Sequence, residues 1–325
     1  METNALSPDE RLVRQARALL IGSTVLWALS FPLLRGLELA QRETAPEVSD
    51  AMLACMNMAM RFGLAALLLL PLFGRDLVRV TKAEWSQASG LALFASVGLY
   101  LQTLGLNWTD ASVSAFLTQL YTLIVPLIVA VRDRRFPTGR VLVACGLVLL
   151  GAARLSPGLL THLTLGPGEI VIVLSTGFLA GQIVWVERPL YATNRAGLVT
   201  LLMFALMAGF FLMGLTTTGS ALPHLVRRLY GTPAIFGLIV AVVLFCTAAN
   251  FLIMNAWQRR ISATEAGLIY CLEPVIATVS TAFLPGWISR MAGISYPDET
   301  LPWTLLVGGG LIVAATVLVA TEKKA

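Results

Sequence analysis

One acid stands inside an otherwise apolar run, and a proline follows it at once. Glu273 and Pro274 lie in residues 255–278, NAWQRRISATEAGLIYCLEPVIAT. A carboxylate at bilayer depth is costly, so its presence marks a functional position by default. Proline beside it lacks a backbone donor and leaves a carbonyl four residues back without its helical partner. Arg61 sits midway along a second apolar run, residues 51–73. The matching depth predicts that Arg61 and Glu273 form a buried ion pair, which relieves the cost of either charge alone. Such a pair can act as a pin between two parts of the chain or as a substrate-binding group. Glu273 is also a proton-coupling candidate, because a buried acid can exchange a proton for substrate.

Other polar and aromatic residues fall inside apolar runs. Thr118, Gln119 and Tyr121 precede Pro126, and Tyr270 lies one helical turn from Glu273. Trp27, shortly before Pro32, and Trp185 are deep enough to be cavity aromatics, and Asn250 and Gln102 are further lining candidates. Polar residues inside a span face the bundle or a cavity rather than lipid. Interhelical hydrogen bonding and ordinary packing are the competing roles. Pro32, Pro126 and Pro274 are the expected helix breaks. The four cysteines, Cys55, Cys145, Cys246 and Cys271, sit singly in apolar runs, and His162 and His224 are isolated. That pattern suits neither a metal site nor a redox pair. No GxxxxGK[ST] segment occurs, so ATP hydrolysis is not expected. No cofactor is expected.

The elements that position these residues follow from composition. Hydrophobic residues make up 57% of the 325 and charged residues 13%, and mean hydropathy is +0.80. Soluble domains carry roughly 25% charged residues. Ten apolar runs follow one another, at residues 18–39, 51–73, 85–106, 111–131, 139–155, 168–186, 198–217, 233–257, 264–284 and 303–321. They predict an all-α integral membrane protein with ten transmembrane helices. Of the 23 lysines and arginines, 16 fall on one side of this arrangement and six on the other, with Arg61 inside. The positive-inside rule then places both termini in the cytoplasm, in a bacterial-type inner membrane. The same bias argues against nucleic acid as a partner, since the basic residues are spread over short loops.

A Pro/Gly-rich link divides the chain. The expected units are a cytoplasmic segment (1–17), a first five-helix repeat (18–155), the link (156–167), a second five-helix repeat (168–321) and a cytoplasmic tail (322–325). Five helices per unit put the halves in opposite orientation, an inverted repeat. VLWALSFPL in the first helix is echoed by IVWVERPL in the sixth, and Pro126 in the fourth by Pro274 in the ninth.

These residues carry a resemblance. MRFGLAALLLLPL (60–72), LQTLGLNWTDASVSAFLTQLYTLIVPLIVA (101–130), the 255–278 stretch and VGGGLIVAATVLVA (307–320) are similar to EamA-type members of the drug/metabolite transporter superfamily. The resemblance covers nearly the whole chain. It implies two inverted five-helix repeats, a central cavity lined by the first four helices of each half, and peripheral fifth and tenth helices. The chain departs from the family pattern at Leu284-Pro285-Gly286-Trp287, where relatives have Leu-Gly-Glu, and in a longer segment from 288 to 302.

The expected function is secondary active transport by alternating access. The resemblance implies export of a small metabolite such as an amino acid or a related amphipathic compound. The expected partners are that solute, membrane lipids and protons; a monomer and a homodimer both remain open. A polytopic enzyme acting on lipid and a channel are the alternatives. An enzyme needs a nucleophile, base or metal cluster that the sequence does not supply. A channel calls for a polar ring and oligomeric symmetry. Smaller expectations complete the reading. Ser262 or Thr264 caps a helix with Glu265 in its first turn. Residues 222–230 form a short interfacial helix. Gly177 and Gly181 set close packing, and the small residues of the tenth helix form a seam with the fifth helix or with a second protomer.

Overall fold

The computed structural model describes residues 8–106, 108, 114, 117–155, 166–215, 222–301 and 303–320. Among these it is helical, with no strand. The tail 322–325, most of the link and part of the fourth apolar run lie outside the described residues.

The helices, in chain order, are α1 (Pro8–Ala28), α2 (Ser30–Thr44), α3 (Asp50–Phe73), α4 (Lys82–Leu106), α5 (Tyr121–Asp133), α6 (Gly139–Leu155), α7 (Pro167–Val186), α8 (Ala196–Gly214), α9 (Leu222–Tyr230), α10 (Pro233–Ala241), α11 (Asn250–Trp257), α12 (Ala263–Tyr270), α13 (Glu273–Ser280), α14 (Leu284–Ala292) and α15 (Thr304–Ala320). Short 3₁₀ turns follow α3, α7 and α11, and a π-helical segment, Val242–Ala249, joins α10 to α11. Six continuous helical stretches among the described residues are long and apolar enough to cross a membrane; the bent unit α12–α14 makes a seventh. This is the architecture of a membrane-embedded protein. Helix α15 is shorter but equally apolar.

Each interruption has a local cause. Chain continuity between α1 and α2 fails only at Leu29, three residues before Pro32. Pro126 lies inside α5, where the Thr122 carbonyl four residues back accepts a hydrogen bond from the Cys145 thiol instead. Between α12 and α13, Leu272 N bonds back to Ile269 O, a tightened turn that ends α12 just ahead of Pro274. Ser262 caps α12 by accepting from Glu265 N–H. The segment from 284 onward turns 59° away from α12–α13 as α14. Ile288 of α14 packs against Gly36 of α2, and Gly293 closes α14 at φ 70°, a conformation that glycine adopts at no steric cost. Asp298 then accepts from Gly286 N–H, so the segment 294–301 folds back on α14.

Packing pairs helices across the chain. α3 lies on α8, α4 on α7, α5 on α12, α6 on α15, and α1 on α11 and the π segment. The α4–α8 approach is locked at one end. Thr81 and Glu84 form a reciprocal capping box at the start of α4, and Arg195 at the start of α8 binds the same carboxylate at 2.8 Å. Two buried apolar clusters result. One gathers α2, α3, α4, α8 and α10; the other gathers α5, α6, α12 and α15 with the start of α1.

The small residues predicted to form a seam pack α15 on α6 rather than leaving that face open. A Cβ on Gly151 would strike the backbone carbonyl of Gly308 and the side chain of Ile312. Gly151→Val is therefore expected to force the pair apart and lower stability by about 1–3 kcal/mol, the usual cost of overpacking. A detergent melting curve reads this, and an unchanged midpoint contradicts the tight seam. Of the Gly177/Gly181 pair, Gly181 seats the Phe94 ring, while Gly177 has open space beside it.

Candidate functional site

A cavity of about 120 Å³ lies where α1, α4, α5, α7, α11 and the α12–α13 break converge. One buried water needs roughly 10–15 Å³ on this measure, so the space holds several waters or a small solute. Its polar lining comes from Ser23, Thr24, Gln102, Thr118, Gln182, Asn250 and Gln258. Trp27, Phe31, Tyr121, Phe251 and Tyr270 supply aromatic walls, and Glu273 is the single acidic or basic lining residue among those described.

Local structure explains the placement. The break between α12 and α13 sets Glu273 in the first turn of α13, at the positive end of its dipole. Tyr270 ends α12, and its hydroxyl donates to Gln258 Oε1 at 2.9 Å. Gln258 in turn donates to the Ile183 carbonyl at 2.7 Å, tying the end of α11 to α7. Ser23 on α1 bonds both the side chain and the carbonyl of Asn250 at the start of α11. Gln102 on α4 donates to Thr118 Oγ1 at 3.2 Å, and Thr118 donates to the Ser114 carbonyl. The Tyr121 hydroxyl, in a residue 5% exposed, has no hydrogen-bond partner of normal geometry.

Of the expected site residues, Trp27, Thr118, Tyr121, Asn250, Tyr270 and Glu273 come together around this cavity, with Gln102. Three do not. Gln119 is buried away from the lining, with its Oε1 unpartnered. Trp185 packs between Phe94 and Tyr191, with the Arg188 guanidinium 3.7 Å above its ring and a slot opened by Gly90 beneath it. Arg61 points elsewhere.

The predicted Arg61–Glu273 ion pair does not form. Arg61, 1% exposed, donates from Nε to Thr247 Oγ1 at 2.6 Å and from a terminal nitrogen to the Cys246 carbonyl at 3.1 Å. Both acceptors belong to the π segment, whose wide turns open side-chain and carbonyl acceptors that a regular α-helix occupies. The guanidinium lies over the Trp27 ring, 5.1 Å from its centroid, and over Phe62. The Trp27 indole N–H is within hydrogen-bonding reach of the Glu273 carboxyl. Trp27 thus touches both charged residues and keeps them apart.

Sequence reasoning missed Ser23, Thr24, Phe31, Gln182 and Gln258. Ser23, Thr24 and Gln182 are polar residues within apolar runs, so the rule that selected Thr118 finds them too. Gln258 sits against Arg259-Arg260 and reads as a boundary loop.

No family model matches the chain, and no curated protein matches it. Among solved structures, a protein crystal structure superposes on 94% of this chain and 96% of its own length, with a TM-score of 0.63 and 14% identity. At that identity the likeness concerns the fold alone, and it runs nearly the full length of both chains. Fold and site together define a class: an all-helical, membrane-type protein with a polar and aromatic cavity between its helices.

Proposed function

We propose that this chain is a secondary active transporter of the EamA type, with ten transmembrane helices in two inverted five-helix repeats and both termini cytoplasmic. It moves a small amphipathic metabolite outward by alternating access. The observation that carries the reading is the cavity, built jointly by residues before and after the 156–167 link and centred on a broken helix bearing Glu273. Discontinuous helices at a repeat interface are where secondary transporters hold substrate.

The packing pattern supports the repeat. Counted as spans, α1–α2 is the first, α3 to α6 the second to fifth, α7 the sixth, α8 the seventh, α10–α11 the eighth, α12–α13 the ninth and α15 the tenth. Exchange of the halves sends the second–seventh, fourth–ninth and fifth–tenth contacts onto themselves and the third–sixth onto the first–eighth. Each of those pairs packs.

Reconstituted protein is expected to give saturable flux of solute without ATP. Non-saturating flux points instead to a channel, and a chemically altered solute to an enzyme.

The end of the bundle predicted to face the cytoplasm carries a latch. Gln258 closes on Ile183 and Tyr270 on Gln258, and beyond them Arg17 of α1 pairs with Glu265 of α12 at 2.5 Å. Net contributions of about 0.5–1.5 kcal/mol for each of the three contacts make this layer worth at least about a tenfold population ratio. The double variant Arg17→Ala/Gln258→Ala is expected to raise cytoplasmic-side accessibility of the cavity by about that factor. Accessibility that stays at the wild-type level contradicts the latch.

A further inference from the structure

We propose that the cavity binds organic ammonium ions, in particular primary amines bearing an aromatic group, and discriminates against the amino acids that differ from them only by a carboxylate. The proposal rests on reading the cavity as the transport site, and it narrows the solute class.

The charge inventory comes first. Glu273 supplies a carboxylate, and no described lining residue supplies a cation. Arg61, the nearest candidate to meet a ligand carboxylate, is committed to Thr247 and Cys246 behind the Trp27 ring. A ligand carboxylate entering this space finds no described cation to offset its lost hydration. The positive end of α13 offers it no refuge, since Glu273 occupies that first turn and Pro274 contributes no N–H.

The acceptor set comes second. An ammonium group has three N–H donors. Glu273 accepts from it, and so does the Tyr121 hydroxyl, a buried lining group with no protein partner of normal hydrogen-bond geometry. Trp27, Tyr121 and Tyr270 line the same space. Aromatic faces attract cations through the ring quadrupole, most strongly where water is excluded. Phe31 and Phe251 leave apolar room for the rest of the amine.

The test uses the full chain purified in detergent and matched ligand pairs, phenethylamine with phenylalanine and tryptamine with tryptophan. Titration calorimetry on wild-type protein is expected to show each amine binding at least about 100-fold more tightly than its amino acid. Glu273→Gln is expected to remove most amine binding, and Tyr121→Phe, which keeps the ring, to weaken it. The matched-pair comparison needs no variant, so a folding defect in either one leaves the result decisive. Amino acids binding as tightly as the amines, or no binding of either amine, overturns the proposal. Flux of the same compounds through proteoliposomes separates it from the transport reading. Amine binding without flux upholds the ammonium site and overturns transport, while saturable phenylalanine flux without phenethylamine binding does the reverse.

Discussion

Arg61→Ala is expected to lower the stability of the folded protein by about 6 kcal/mol, and Arg61→Met by only about 3 kcal/mol. The difference comes from opposing terms. Insertion scales put the cost of a buried arginine at helix centre at about 2.5–3.5 kcal/mol, and either variant recovers that. Each also loses two hydrogen bonds from a charged donor, roughly 1.5–3 kcal/mol apiece, and the contact over Trp27, about 1–2 kcal/mol. Alanine alone adds a void beside Phe62 and Thr247, worth roughly 2–5 kcal/mol in comparable truncations. Methionine fills most of that space. Unfolding by denaturing detergent in mixed micelles measures both. An Arg61→Ala protein as stable as wild type removes the structural role assigned to the guanidinium. A methionine variant as damaged as alanine shows that charge, not volume, dominates.

The second large effect falls on function. Glu273→Gln is expected to reduce saturable flux by about 100-fold and to abolish its dependence on pH, while the melting temperature stays near that of wild type. Glutamine keeps the size and the acceptor oxygen toward the Trp27 indole, so the fold retains its contact. It cannot exchange a proton, and it offers no charge to a cationic solute. Flux in proteoliposomes under imposed pH gradients reads the result. Flux that keeps its full pH dependence in Glu273→Gln places proton coupling elsewhere.

What the sequence revealed, and what it hid, divides along physical lines. Proline has a local mechanical consequence, so the breaks near Pro32 and Pro274 were legible; at Pro126 no break occurs, and α5 runs on through it because the Cys145 thiol takes up the Thr122 carbonyl. Apolar runs gave helix limits close to those observed; α6 matches its run at both ends. The charged segment before residue 18 was set apart from the first apolar run, yet α1 begins at Pro8, because its first turn carries Asp9 and Glu10, which suit a helix start. Polar residues inside spans selected Thr118, Tyr121, Asn250 and Tyr270, all of which line the cavity. Depth alone misled for Arg61: two residues can share a depth and face different neighbours. What turned Arg61 away is the π segment VVLFCTAA, whose composition does not separate it from an α-helix. Trp185 was misplaced for a plainer reason. Arg188 lies three residues on, just beyond the end of α7, and its guanidinium covers the Trp185 ring.

The most direct test of alternating access labels one cavity position from both sides of a sealed membrane. Asn250→Cys, in a background with Cys55, Cys145, Cys246 and Cys271 replaced, places a thiol on the cavity wall. A membrane-impermeant thiol reagent is added to the outside or the inside of proteoliposomes of known orientation, with and without the Arg17→Ala/Gln258→Ala pair. The account predicts labelling from either side, with loss of the latch increasing cytoplasmic reaction and decreasing external reaction together. Labelling from a single side under every condition, unmoved by the latch, contradicts a cavity that alternates its exposure.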